Sequence, residues 1–145
     1  MSKKVEVDME KDAVIAPVIL VRMATAAMEN AYAPYSKFKV GAALLCDDGE
    51  IYTGCNIENA SFTPSNCAER TAIFSAVNEG KHNFKAIAIV GGMLGKADSV
   101  CPPCGVCRQV LAEFCDEDLK IYLGRSDGYD EYTLGELLPL GFTMK

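Results

Sequence analysis

The sequence contains no uninterrupted run of about 18 or more apolar residues, the length that a membrane-spanning helix requires. The best candidate, Ala13–Val21, is broken by Pro17 and closed by Arg22. The first six residues carry positive charge, but neither an apolar block nor a small-residue cleavage site follows them, so they do not resemble a secretory signal. We therefore expect a chain that does not span a membrane and lies in the cytoplasm.

Basic residues are also few, and histidine is nearly absent. The 14 Lys and Arg residues are outnumbered by 20 Asp and Glu residues, which gives a net charge of −6. Such a chain repels polyanions, because nucleic-acid binding depends on cationic side chains that displace counterions. We therefore expect no nucleic-acid partner. The single histidine, His82, lies between Lys81 and Asn83, and we expect it in solvent rather than on a metal.

Half of the 145 residues are apolar, so one domain can bury a core without disulfide bonds. We find no internal repeat, linker or low-complexity segment and predict one domain over residues 1–145. The seven cysteines are odd in number and clustered, which favours metal or catalytic roles over a disulfide framework. Cys46, Cys55 and Cys115 are expected to be small buried side chains.

Hydrophobic periodicity predicts helices that alternate with strands. The helices are predicted at 12–30, from a cap at Ser65 or Asn66 to Gly80, at Gly105–Phe114 and, after the last strand, at Tyr132–Leu138. The strands are predicted at Phe38–Cys46, Ile51–Cys55, Lys85–Val90 and Leu119–Leu123. Asp48 and Gly49 indicate a two-residue hairpin turn. This order predicts an α/β fold with helices packed on a mixed sheet, the second and third helices being crossovers between strands.

Cys104 and Cys107 form a C-x-x-C motif that opens the third predicted helix. Their spacing places both sulfurs on one side of the first turn, where unpaired backbone N–H groups and the helix dipole favour thiolates. Two zinc ligands at about 2.3 Å are easily accommodated there. The motif alone is equally compatible with a redox dithiol or with two core cysteines.

Cys67 and Glu69 open the second predicted helix and supply a third ligand and a base. Residues two apart point to different sides of a helix, so both side chains can meet only beyond its N-terminal end. A zinc ion shared by two helix N-termini would lie there. Three thiolates leave the fourth coordination position open for water, as in catalytic sites, with Glu69 as the base. Arg70 could donate hydrogen bonds to the thiolates.

Four blocks of the sequence resemble the small cytidine deaminases. The blocks are Ala33-Pro34-Tyr35-Ser36-Lys37-Phe38 with Val40-Gly41-Ala42-Ala43, Asn56-Ile57-Glu58-Asn59-Ala60, Cys67-Ala68-Glu69-Arg70-Thr71-Ala72 and Pro103-Cys104-Gly105-Val106-Cys107-Arg108-Gln109. The three-cysteine site with C-x-x-C is the zinc-deaminase signature. The resemblance implies a three-layer α-β-α fold with a mixed sheet of about five strands. It also implies hydrolytic deamination of cytidine and deoxycytidine to uridine and deoxyuridine, with release of ammonia, in pyrimidine salvage.

The resemblance also implies the metal site and its chemistry. Cys67, Cys104 and Cys107 would hold one Zn²⁺ per chain. Glu69 would act as the proton shuttle while activated water attacks the amino-bearing ring carbon. The main chain around Ala68 would read the amino group or the pyrimidine edge. Arg70 would support the thiolates from outside the ligand set.

Further matching residues imply the contacts of the nucleoside. Phe38 would stack on the base, and Asn56 and Glu58 would form hydrogen bonds with the sugar hydroxyls. The substrate-binding residues would also include Ala60, Phe62 and Phe142. Phe62 stands where relatives often carry tyrosine, so any contact made by that hydroxyl is absent here.

The family is typically a homotetramer in which neighbouring subunits complete each site. The C-terminal aromatic that takes part resembles Phe142 here. We therefore expect a homotetramer whose partner molecule is a pyrimidine nucleoside.

Three alternatives remain open at this point. Cys101 could add a fourth thiolate and close the site into a structural zinc module that binds a partner, leaving Glu69 without a role. Cys101, Cys104 and Cys107 also resemble part of an iron–sulfur run, but position 111 is leucine where the fourth cysteine is expected. Blasticidin-type antibiotics or cytidine nucleotides are other substrates, although the carboxylate of Glu58 would repel a phosphate.

Overall fold

The computed structural model describes residues 16–144, in which five strands form one mixed sheet with helices on both faces. The sheet order is β2-β1-β3-β4-β5; β3 and β4 are parallel, and the other neighbours are antiparallel. The elements are α1 (Ala16–Met28), β1 (Phe38–Cys46), β2 (Ile51–Cys55), α2 (Ala68–Asn78), β3 (Phe84–Met93), α3 (Gly105–Phe114), β4 (Lys120–Arg125), β5 (Gly128–Thr133) and α4 (Leu134–Leu137).

Helices cover both faces because the central strands are apolar on both sides. Along β1, Ala42 and Leu44 belong to the core formed with α2 and α3, whereas Ala43 and Leu45 pack with α1. Strands buried on both faces read as continuous apolar runs, as β1 and β3 do here. The three-layer α-β-α prediction with a mixed sheet of five strands is therefore confirmed.

The two crossover helices determine where the functional residues meet. Helix α2 connects β2 to β3, and α3 connects β3 to β4. Strands β2 and β3 are parallel to each other because each is antiparallel to β1, which lies between them. Both helices therefore follow strand ends at one edge of the sheet, the edge where α/β proteins commonly bind ligands.

The last predicted helix is wrong in extent. Tyr132 belongs to β5, and α4 covers only Leu134–Leu137. Thr133 caps α4 through a capping box with Glu136, whose main-chain N–H donates to Thr133 Oγ1 at 3.3 Å. Strand β5 is a partly exposed edge strand with a charged centre, so its sequence has no apolar alternation that predicts a strand.

One predicted helix cap and one predicted turn also need correction. The N-cap of α2 is Cys67 rather than Ser65 or Asn66, and no side chain caps this helix by a hydrogen bond. The β1–β2 connection spans residues 47–50, two more than Asp48 and Gly49. Helix α2 ends at Asn78, two residues before the predicted Gly80, in a Schellman motif in which the Gly80 N–H bonds the Val77 carbonyl at 3.0 Å.

Other boundaries differ by a few residues. Strand β3 extends beyond the predicted Lys85–Val90 at both ends, and β4 lies one residue later than predicted at its start. Helix α1 ends at Met28 instead of residue 30; its predicted start, at 12–15, lies outside the described residues, as do the first six residues. No helix described in residues 16–144 combines the length and apolar character needed to cross a membrane.

Gly54 allows α2 to lie directly against β2, and its replacement tests this packing. A Cβ at Gly54 would lie 2.5 Å from the Ala72 nitrogen and 2.6 Å from the Ala68 carbonyl oxygen. Both are backbone atoms that cannot rotate away, so we expect Gly54→Ala to lower the free energy of unfolding by about 3 kcal/mol. Thermal unfolding followed by circular dichroism measures the loss.

Gly105→Ala is the matched control for this substitution. A Cβ at Gly105 meets nothing within 4 Å, and alanine favours the first turn of α3. We expect it to leave stability unchanged or slightly higher. An equal loss in both variants would show that contact with α2 is not the reason for glycine at position 54.

Candidate metal centre

Three cysteine sulfurs meet where α2 and α3 begin. Cys67 is the N-cap of α2, Cys104 is the N-cap of α3, and Cys107 lies in the first turn of α3. The Cys67 and Cys104 sulfurs are 3.7 Å apart and those of Cys104 and Cys107 3.4 Å apart. Sulfurs bound tetrahedrally to one zinc at about 2.3 Å lie about 3.8 Å from each other. The spacing therefore fits a zinc ion.

The N-termini of α2 and α3, together with the thiols of the cluster, stabilise negative charge on sulfur. The Cys107 main-chain N–H donates to the Cys104 sulfur at 3.5 Å. A hydrogen bond from the Cys107 thiol, helped by Arg70 and Cys104, lowers the pKa of Cys67 to about 5 despite burial. The same bond and burial raise the pKa of Cys107. Between these two thiols, the negative charge is thus favoured on Cys67 and the proton on Cys107.

Arg70 is the cation of the site. Its Nη2 donates to the Cys67 sulfur at 3.3 Å, a bond that raises the pKa of Arg70. Its Nε is buried and has no hydrogen-bond partner within residues 16–144. Three thiolates exceed the charge of Zn²⁺, and this cation with two helix N-termini offsets the excess. The donor set and its surroundings therefore fit zinc.

Glu69 is the buried acid of the site, with 5% of its surface exposed. It lies in the first turn of α2 and lines the same cavity as Cys67 and Cys104. Burial raises the pKa of Glu69, and the negative charge of Cys67 adds to this effect. A carboxyl group with a raised pKa beside a metal site is suited to take up and release protons.

A cavity of about 380 Å³ opens over the cluster, within the size range of small-molecule sites. It brings together most of the predicted residues: Asn56, Glu58, Phe62, Cys67, Ala68, Glu69, Arg70 and Cys104. Cys107 is fully buried behind it, while Phe38, Ala60 and Phe142 do not line it and are exposed to solvent. The sequence did not point to four other lining residues: Val40, Ser65, Asn66 and Pro102. Val40 lies within a matching block and the other three lie just before one, which was the available signal.

The side chains of Asn56 and Glu58 form hydrogen bonds with main-chain groups just before β1 and within it. The Asn56 side chain accepts from the Val40 N–H and donates to the Phe38 carbonyl, both at 2.8 Å. The Glu58 carboxylate accepts from the main-chain N–H groups of Tyr35 and Ser36 at 3.0 and 3.1 Å. Carboxylate oxygens have several acceptor sites, so a further hydroxyl can still bind.

Comparison with known proteins decides the family. Residues 18–123 match the family model of the cytidine and deoxycytidylate deaminase zinc-binding region. The chain belongs to this deaminase family. Cytidine deaminase from Sporosarcina psychrophila is 50% identical over 125 residues, covering 86% of this chain and 89% of that protein. The enzyme of the same name from Halalkalibacterium halodurans is 52% identical over 126 residues, covering 86% and 92%.

A solved deaminase shares the fold. The crystal structure of cytidine deaminase from Burkholderia pseudomallei has a TM-score of 0.80 and 46% identity, covering 86% of this chain and 98% of that one. The resemblance inferred from the four sequence blocks is therefore confirmed. Zinc is the cofactor of this domain, and the three clustered sulfurs are positioned to hold it.

Cys101 also lines this cavity, but it is not part of the three-sulfur group. Its sulfur packs over Gly91, lying 3.0 Å from where a Cβ on that residue would be. Burial raises the pKa of Cys101 to about 11. The arrangement thus favours an open deaminase site over a closed four-cysteine module.

Serine substitutions distinguish the open site from the closed one. We expect Cys67→Ser to reduce zinc well below about one ion per chain, because it removes a thiolate from the cluster. Cys101→Ser should retain the full zinc content. Metal analysis of purified protein after gel filtration measures both. Equal zinc loss in the two variants would identify Cys101 as a ligand and contradict the three-sulfur site.

Proposed function

We propose that this chain is a zinc-dependent cytidine deaminase that converts cytidine and deoxycytidine, with water, to uridine and deoxyuridine plus ammonia. The observation that carries this proposal is the buried carboxyl group of Glu69 beside three clustered sulfurs, in one cavity open to a small molecule. The names of the relatives support the substrate. We take residues 1–145 as one catalytic domain.

Glu69 carries the proton transfers in this proposal. Zinc held by Cys67, Cys104 and Cys107 would supply a Lewis acid that activates a water molecule. The Glu69 carboxylate takes a proton from this water and delivers it to the ring nitrogen next to the reacting carbon. Glu69 then takes the remaining proton from the hydroxyl now bound to the ring carbon and gives it to the departing amino group, so that ammonia leaves and the carbonyl of uridine forms.

Residues around the cavity would bind the nucleoside. The main chain at Ala68, beside Glu69, reads the pyrimidine edge, and Phe38 stacks on the base. The Asn56 amide can donate a hydrogen bond to a sugar hydroxyl, and the Glu58 carboxylate can accept hydrogen bonds from the sugar hydroxyls. Hydrogen bonds from Ser36 and from main-chain N–H groups lower the pKa of Glu58 and keep it anionic. This charge disfavours a phosphate, so the substrate is a nucleoside rather than a nucleotide.

Removing the Glu69 carboxylate tests the proposal. We expect Glu69→Gln to keep its zinc but to lose turnover of cytidine and deoxycytidine by about 10³-fold or more, because the general acid and base is gone. Ammonia release is measured with cytidine, deoxycytidine, cytidine monophosphate and blasticidin S, with zinc quantified in the same samples. Wild-type turnover should be confined to the two nucleosides.

The opposite outcomes are equally clear. Bound zinc without turnover of any substrate in the wild-type chain would favour the structural module. Turnover retained by the Glu69→Gln variant would contradict the proton-transfer role of Glu69. A preference of the wild-type chain for cytidine monophosphate would contradict the role of Glu58.

We further propose a homotetramer located in the cytoplasm. Several large apolar side chains of residues 16–144 are exposed, among them Phe62 with an exposed fraction of 88% and Phe142 with 69%. A second subunit would cover them, with Phe142 and the loop of Ala60 and Phe62 completing neighbouring sites. None of the seven cysteines, all of which lie within the described residues, forms a disulfide bond, which suits a reducing compartment.

Phe142→Ala tests the assembly. We expect weaker tetramer formation and a KM for cytidine raised about ten-fold, because the buried contact of one phenyl ring contributes about 1.5–3 kcal/mol. Light scattering after gel filtration at several concentrations measures the mass. Val18→Ala, an exposed position on α1 across the sheet, is the control. A wild-type chain that is monomeric at all concentrations would contradict the proposal.

A further inference from the structure

The turn that leads into β1 is organised around the hydroxyl of Ser36. This hydroxyl donates to Glu58 Oε2 and accepts from the Phe38 main-chain N–H at 3.0 Å. A serine hydroxyl has a single proton, so donating to Glu58 leaves only its lone pairs for Phe38. Ser36 thus joins a residue that lines the cavity to the main chain of the predicted stacking residue.

Glu58 depends on this turn for its orientation. Its carboxylate accepts three hydrogen bonds from two residues: from the N–H of Tyr35, and from the N–H and the hydroxyl of Ser36. The two N–H groups contact Oε1, whereas the hydroxyl contacts Oε2. Removing the hydroxyl therefore frees one carboxylate oxygen while the other stays bound.

The chain between Ser36 and Phe38 is held in an uncommon conformation. Lys37 has a φ of 62°, in the left-handed region that non-glycine residues adopt where their surroundings fix them. Its N–H bonds the Ala33 carbonyl at 3.1 Å, and its carbonyl accepts from the Leu94 N–H at 2.7 Å. Backbone conformations of this kind cluster at functional sites.

Phe38 is consequently held at both of its main-chain polar groups. The Ser36 hydroxyl accepts a hydrogen bond from the Phe38 N–H, and the Asn56 amide donates to the Phe38 carbonyl at 2.8 Å. The same amide accepts from the Val40 N–H. Glu58, Ser36, Phe38 and Asn56 therefore form one hydrogen-bonded frame that joins the start of β1 to the segment after β2.

We propose that Ser36 is a positioning residue for nucleoside binding, acting through Glu58 and the main chain of Phe38. This inference rests on the proposed function, in which Glu58 contacts the sugar and Phe38 the base. Ser36 itself does not line the cavity. Its effect should therefore fall on binding rather than on proton transfer.

Ser36→Ala is expected to raise the KM for cytidine about ten-fold, the equivalent of about 1.4 kcal/mol. We expect kcat to stay nearly unchanged, because Glu69 and the sulfur cluster are untouched. Ser36→Thr keeps a hydroxyl and should restore the KM. Ser75→Ala, which removes a hydroxyl that donates to the Thr71 carbonyl on α2, is the matched control.

A double-mutant cycle separates positioning from a general structural role. If Ser36 acts through Glu58, Ser36→Ala should add little to Glu58→Gln, because the oriented carboxylate is already lost. Cytidine binding by calorimetry in a Glu69→Gln background measures the same effect without turnover. Binding of 2′,3′-dideoxycytidine, which lacks the sugar hydroxyls concerned, should be much less sensitive to Ser36→Ala.

The inference is overturned if Ser36→Ala leaves cytidine binding unchanged, lowers kcat alone, or adds fully to Glu58→Gln. These results would leave wild-type deamination intact, so they would not touch the proposed function. Absence of deamination in the wild-type chain, with Ser36→Ala still weakening cytidine binding, would instead overturn the function and retain the role of Ser36.

Discussion

The meeting of two helix N-termini at one sheet edge is the constraint on which the rest of the site depends. It follows from the sheet order, since β2 and β3 run parallel on either side of β1 and each is followed by a helix. Cys67 and Cys104 occupy the two N-cap positions and are brought together across 37 residues of sequence. Unpaired N–H groups there favour thiolates, so the fold prepares the ligands before a metal arrives.

The same arrangement buries an acid next to these thiolates, which lowers the stability of the fold. Glu69 is the only charged side chain found buried in residues 16–144, and its surroundings include negatively charged sulfur. Arg70 lies next to Glu69 in sequence and donates to Cys67. The cation, the acid and one sulfur ligand of the site therefore come from four consecutive residues at the start of α2. Such local conflict is expected where function rather than stability selects the residues.

The sequence predicted those features that depend on near neighbours along the chain. The C-x-x-C spacing of Cys104 and Cys107, and the order of helices and crossovers, follow from local pattern and chain connectivity. The edge strand β5 was missed because its charged centre gives no apolar alternation. The Ser36–Glu58 bond joins residues 22 apart, and nothing in either motif indicates that their side chains meet. Contacts of that kind depend on how the loops after α1 and β2 are brought together by the sheet.

The central claim is a zinc ion held by three cysteine sulfurs with one position left for a water molecule. X-ray absorption at the zinc edge of the purified chain measures the ligand set directly. The account predicts three sulfur neighbours at about 2.3 Å and one lighter neighbour at about 2.0 Å. Four sulfur neighbours would contradict it, since the closed site would have no place for the reacting water.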